Sequence, residues 1–245
     1  MKHLLIALGA LLAFTFSSSS HAATYKPGMP IEVINKGMSN IEKNVRKAAV
    51  KVMTDGGGHG SGSVIQYKDL QLVFTAQHVT ELDIGTIYTI QKGQKNLPAM
   101  LIHKSPTQDM AVLVLMQSFD KEVLEPMPWK VAKDHKIGTN IVYSGFPSWH
   151  SLMSFEGRIA GTEVLPARGT QLIVNTYGWF GCSGSVIYNT SGHIIGILYG
   201  VDVEYYPGIQ VQENMIWVAP IKYLPIEKSL KEFCEKDDHN YKACR

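Results

Sequence analysis

Leu70-Gln71-Leu72-Val73-Phe74-Thr75-Ala76-Gln77-His78-Val79 reads as a short apolar strand that ends just before a histidine. The Lys68-Asp69 pair ahead of it is turn chemistry, and the aliphatic and aromatic residues that follow suit a pleated, half-buried surface. The same pattern recurs in both directions. Strands are predicted over Ala48–Thr54, Gly62–Tyr67, Leu70–Thr75, Thr86–Gln91, Met110–Met116, Asn140–Ser144, Gly157–Val164, Gln171–Thr176, Ser185–Tyr188, His193–Tyr199 and Met215–Ala219. Gly56-Gly57-Gly58, Lys92-Gly93 and Ser191-Gly192 punctuate them. Many short strands at this spacing argue for an all-β barrel or sandwich architecture. Asp120–Lys136, with Pro126 and Pro128, breaks the rhythm and reads as a linker between two β halves. A short helix is predicted over Ser39–Lys47, and Ile226, Leu230 and Phe233 recur at helical spacing after Pro225.

Composition narrows the function classes. Of 245 residues, 23 are Lys or Arg and 21 are Asp or Glu, so no clustered positive surplus points to nucleic acid. Apolar residues make up 45% and charged residues 18%, which supplies a core and excludes intrinsic disorder. Residues 1–22 read as a cleaved leader: Lys2 heads the apolar run Leu4 to Phe16, and Ser20-His21-Ala22 offers small residues at the cut before Ala23. That run is too short for a membrane helix, and no later one is longer, so no membrane anchor is expected. The expected location is therefore secreted or periplasmic. There Cys234 and Cys244 are expected to close a short disulfide loop, leaving Cys182 as a buried residue or a free thiol.

Three local patterns carry chemistry. His78 follows an apolar strand; Asp109 heads the strand Met110-Ala111-Val112-Leu113-Val114-Leu115; and Gly181-Cys182-Ser183-Gly184 turns into the strand from Ser185. Taken singly, each has an ordinary reading as a surface histidine, a solvated turn acid or a plain β-turn. The glycines of the third allow backbone shapes closed to other residues, so Gly181 and Ser183 can aim two N–H groups at one point. An acid that accepts from an imidazole N–H fixes the ring's tautomer. The order is His, Asp, Ser, with separations of 31 and then 74 residues.

With Gly60-Ser61-Gly62-Ser63-Val64-Ile65, Gly145-Phe146-Pro147, Gly157-Arg158-Ile159 and Gly192-His193-Ile194-Ile195-Gly196-Ile197, these patterns resemble the trypsin-like, chymotrypsin-fold serine endopeptidases. Within that superfamily they are most similar to the bacterial glutamyl-endopeptidase-like and HtrA-like branches. The likeness runs from about Ala48 to Pro220. It implies two six-stranded antiparallel β-barrels with a short C-terminal helix: a lead over 23–47, a first barrel over 48–125, a second over 126–222, and a helix and tail over 223–245. It also implies catalytic His78, Asp109 and Ser183, an oxyanion hole from Gly181 and Ser183, a polypeptide substrate, and no metal or cofactor. A monomer is expected, because the 25 residues after Pro220 are too few for a peptide-binding module.

Two departures from the family follow. Cys182 stands where zymogens of the trypsin type carry an Asp, so activation is not expected to need an inserted N-terminus. Tyr177 and Leu198 replace the residues that would select basic or glutamyl side chains. Tyr177, Leu198, Tyr199 and Gly200, with Trp217 and Val218, are the expected substrate-binding set and imply an apolar or mixed pocket; the same residues suit a core equally well. The alternative function is a binding protein on this fold with catalysis lost.

Overall fold

The computed structural model describes residues 37–236 apart from 106 and 206. The predicted leader and Cys244 lie outside the described residues. Ser39 caps the first helix, α1 (Asn40–Ala48), through a reciprocal pair with Glu42: its hydroxyl accepts from Glu42 N–H, and the Glu42 carboxylate accepts from Ser39 N–H. The first sheet contains β1 (Ala49–Met53), β2 (His59–Tyr67), β3 (Leu70–Thr75), β4 (Ile87–Lys92), β5 (Lys95–Ser105), β6 (Met110–Leu115) and the two-residue β7 (Met127–Pro128). Its order is β1-β4-β5-β6-β3-β2-β7, and β1 also pairs with β2, so the first six strands close on themselves. β7 is an addition, running parallel to β2.

The second barrel is closed in the order β10-β13-β12-β11-β8-β9. Its strands are β8 (Asn140–Gly145), β9 (Met153–Leu165), β10 (Gly169–Asn175), β11 (Val186–Asn189), β12 (Ile194–Glu204) and β13 (Gln210–Pro220). The last described element is α2 (Ile226–Lys236), and the described residues from Met38 onward form one compact unit. Two six-stranded barrels and a C-terminal helix are thus observed as expected. Among the described residues, no helix is long and apolar enough to cross a membrane.

The unbroken apolar runs have a packing cause. Along β6, Ala111, Leu113 and Leu115 fill the interior of the first barrel, while Met110, Val112 and Val114 face a second cluster. That cluster also takes Val142, Val186, Tyr188, Ile194 and Ile197 from the second barrel and Ile226, Leu230 and Phe233 from α2. A strand buried on both faces needs apolar residues at every position, not at alternate ones. The second barrel has its own interior of Ile141, Tyr143, Ile159, Leu172, Ile187 and Ile195. α2 covers the joint as its spacing predicted.

β5 was not anticipated, and Lys95-Asn96-Leu97-Pro98 shows why. It opens polar and contains a proline, which signals against a strand. Tertiary pairing overrides that signal: β5 lies between β4 and β6, and the Pro98 carbonyl accepts from Met116 N–H at 3.0 Å.

Lys92, at the end of β4, is half-buried, and its Nζ donates to the carbonyls of Arg46 (2.8 Å) and Ala49 (2.7 Å) at the end of α1. Burial first, and the Arg46 charge second, push its amine down to about 7 from 10.5. A neutral amine still has two hydrogens for the two carbonyls. Because the unfolded chain holds this proton more tightly, folding stability rises with pH between about 7 and 10.5. Urea midpoints across that range are expected to climb in the native sequence, and the climb attributable to this group is expected to vanish in Lys92→Met.

Candidate active site

β3 and β6 are antiparallel neighbours, with Thr75 opposite Ala111. The residues just past the end of β3 therefore lie beside those just before β6, which closes the 31-residue gap between His78 and Asp109. A single 3-10 turn, Gln77–Val79, swings His78 over the strand end. Asp109 is 7% exposed and has φ +53, a left-handed backbone that Asp tolerates better than most side chains. It accepts from His78 N–H at 3.0 Å, and both carboxylate oxygens lie 3.0 Å from His78 Nδ1.

Burial works to raise the Asp109 carboxyl. The hydrogen bonds and charge of His78, with Arg168 Nη1 at 3.7 Å, outweigh it and hold the carboxyl below its ordinary value. Asp109 is therefore an ionised, acceptor-only group near neutral pH, and Nδ1 must carry the ring hydrogen. That tautomer leaves Nε2 with a free lone pair. Among the described residues His78 Nε2 makes no hydrogen bond, nor does Ser183 Oγ. A recess of about 320 Å³ lies beside His78 and includes Asp55, Glu81 and Tyr88 in its lining.

The Ser183 turn is held by its carbonyls. Phe180 C=O accepts from Ser148 N–H at 2.6 Å, which sets the peptide plane that contains Gly181 N–H. Cys182 C=O accepts from Ser185 N–H at 3.0 Å, setting the plane that contains Ser183 N–H. Both of those N–H groups lack a partner among the described residues. Gly181 (φ +90) and Gly184 (φ +91) allow the turn. A Cβ would stand 2.4 Å from Phe146 C=O at the first and 2.1 Å from Ser61 C=O at the second, so neither accepts a side chain.

Backbone contacts carry Ser183 to the histidine's strand end. Ser61 N–H donates to Ser183 C=O at 2.8 Å. Gly184 is packed against Thr75 and Ala76, two residues before His78. The space beside Gly60 is filled jointly by Val79, one residue after His78, and the Ser183 carbonyl. The Ser183 backbone and Gly184 thus lie beside residues that flank His78 in the chain.

Ser61 is the residue that sequence reasoning quoted without seeing its part. Fully buried, its hydroxyl donates to Gly181 C=O (2.7 Å) and accepts from Phe146 N–H (2.9 Å), while its own carbonyl accepts from Thr75 Oγ1 (2.7 Å). The signal available was the alternation Gly60-Ser61-Gly62-Ser63. Small polar residues on one face of β2 let a foreign loop approach, and Ser63 meets Tyr188 of β11 at 2.8 Å on that same face.

The remaining expected residues have differing surroundings. Leu198 is 1% exposed and, with Val218 and Ile195, belongs to the interior of the second barrel. Tyr177 is 38% exposed and stacks on Phe155. Tyr199 lies beneath the Arg168 guanidinium, 4.7 Å from ring centroid to Cζ. Gly200 borders open space, and Trp217 Nε1 donates to Asp202 at 3.4 Å. Cys182 is a free, buried thiol whose pKa burial raises, the opposite of what a nucleophile needs. Among the described residues no cluster of His, Cys, Asp and Glu could hold a metal ion.

Comparison with known proteins adds a family to this geometry. No curated protein matches the chain. Among solved structures, an inactive form of Rv3671c from M. tuberculosis, carrying a serine-to-alanine substitution, is similar at TM-score 0.63 and 17% identity, over 83% of this chain and 94% of that one. The active form of the same protease gives 0.59 and 19%, over 81% and 88%. Identities this low establish a shared fold. The model of the trypsin-like peptidase domain matches residues 60–197, from the serine-rich face of β2 through the Ser183 turn into β12. Matched over more than half its length, the chain belongs to the trypsin-like peptidase domain family.

Proposed function

We propose that the protein is an exported serine endopeptidase that cleaves polypeptides through an acyl-enzyme. The observation that carries this reading is the pair of unpartnered N–H groups at Gly181 and Ser183, each held by a tied carbonyl. Ser183 Oγ attacks the scissile carbonyl carbon as its proton passes to His78 Nε2. The carbonyl oxygen becomes an oxyanion between the two N–H groups. His78 then returns the proton to the leaving amine as the C–N bond breaks. Water, deprotonated by the same nitrogen, hydrolyses the ester and restores Ser183. Asp109 keeps the ring in the tautomer this requires. Such serine–histidine contacts are often long without substrate and tighten when it binds.

Export through the leader of residues 1–22, a Cys234–Cys244 bridge and a monomeric state belong to the same proposal. Intact mass of the exported protein, before and after reduction, checks the first two.

A fluorophosphonate is expected to label the purified protein once, at Ser183. Ser183→Ala is expected to abolish labelling and to lower casein hydrolysis by roughly 10⁴-fold or more. A wild-type protein that hydrolyses neither casein nor esters and takes no label would be a binding protein on this fold.

Ser61→Ala leaves Gly181 C=O and Phe146 N–H without their buried partner. The expected result is a loss of about 1–3 kcal/mol of stability. It should come with a roughly tenfold drop in kcat at nearly constant KM, because the oxyanion donors act mainly on the transition state. Denaturant titration and steady-state kinetics on one preparation read both.

A further inference from the structure

We infer that Arg168 is a positioning residue for the Asp109–His78 pair, reaching its carboxylate from the opposite barrel while Tyr199 supports the guanidinium. The inference rests on the endopeptidase reading above and deepens it. Arg168 occupies the turn between β9 and β10, in the second barrel, whereas His78 and Asp109 belong to the first. Its carbonyl accepts from Gln108 Nε2 at 2.7 Å and from Gln171 Nε2 at 2.8 Å, and Gln171 Nε2 also lies 3.2 Å from Gln108 Oε1. Gln108 immediately precedes Asp109, so the turn is fastened to the segment that carries the carboxylate.

The side chain continues the same approach. Nη1 is buried without a hydrogen-bond partner and stands 3.7 Å from Asp109 Oδ2, the carboxylate it pairs with among the described residues. An orphaned guanidinium nitrogen is costly to bury and is retained here against one anion. The guanidinium also stands over the Tyr199 ring, 4.7 Å from Cζ to the ring centroid. Burial, outweighing the opposing charge of Arg168, pushes the Tyr199 hydroxyl up to about 12, so the platform is uncharged near neutrality and does not compete with Asp109 as an anion.

The charged and titratable groups around the pair come from four places. They are Arg168 on the β9–β10 turn, Tyr199 on β12, Glu163 on β9, whose charge acts on Tyr199, and Asp55, Glu81 and Tyr88 in the recess beside His78. Arg168 is the cation in this set. A fixed cation beside Asp109 favours its ionised form, and so helps keep the carboxylate that accepts from the His78 ring.

The test follows the second-order rate of fluorophosphonate labelling across pH, which needs no knowledge of the natural substrate. Arg168→Gln is expected to move the acidic limb upward by about one pH unit. The plateau rate is expected to fall roughly tenfold through loosened positioning. Arg168→Lys, which keeps the charge, should return the limb toward its wild-type place. A lower plateau with an unmoved limb in Arg168→Gln would reduce Arg168 to a packing residue and overturn the inference, as would a variant indistinguishable from wild type. If Arg168→Gln does not fold, Tyr199→Leu removes the platform and must move the limb the same way, or the inference fails. Wild-type protein that takes no label at all would instead refute the endopeptidase reading, and this inference with it.

Discussion

One buried hydroxyl ties the two barrels together at the point where chemistry is proposed. Ser61 Oγ satisfies Gly181 C=O and Phe146 N–H at once, and the same residue's N–H and C=O bind Ser183 and Thr75. All four of its hydrogen bonds are made inside the protein, where an unmet polar group is expensive. Few alternative arrangements could satisfy that set. The joint between the barrels is therefore fixed in register, and the Ser183 turn is fixed with it.

Around that node the labour is divided between apolar and polar contacts. The shared cluster of Met110, Val112, Tyr188, Ile194, Leu230 and Phe233 presses the barrels and α2 together without direction. Direction comes from short polar ties: Ser63 with Tyr188, Ser61 with the Gly181 turn, and the Arg168 turn with Gln108. The candidate site sits where these meet. Asp109 and Ser148 have left-handed backbones there, at φ +53 and +49, a strain the surrounding hydrogen bonds sustain. Each supports one half of the proposed chemistry: Asp109 orients the imidazole, and Ser148 orients the peptide that carries Gly181 N–H.

Legibility in the sequence followed the range of the interaction. Leu70–Thr75 and Met110–Leu115 could be read because a strand buried on both faces must be apolar at nearly every position. α2 could be read because Ile226, Leu230 and Phe233 repeat at helical spacing. β5 could not, since Pro98 speaks against a strand locally and only its two neighbours overrule it. His78, Asp109 and the Ser183 turn were visible because each depends on its own flanking strand. Arg168 gave no sign at all: its partner lies 59 positions earlier, on another barrel.

The amino-acid order alone determined most of the segments that become strands, where most turns fall, and which three side chain types stand ready at strand ends. Periodicity and glycine placement are local properties that a linear chain displays openly. Only the tertiary structure decided that Leu198 turns inward, that Ser61 grips the Gly181 turn, and that Arg168 approaches Asp109. Those outcomes depend on which faces meet when two closed barrels pack, and that pairing is set by burial and hydrogen bonding between residues far apart along the polymer.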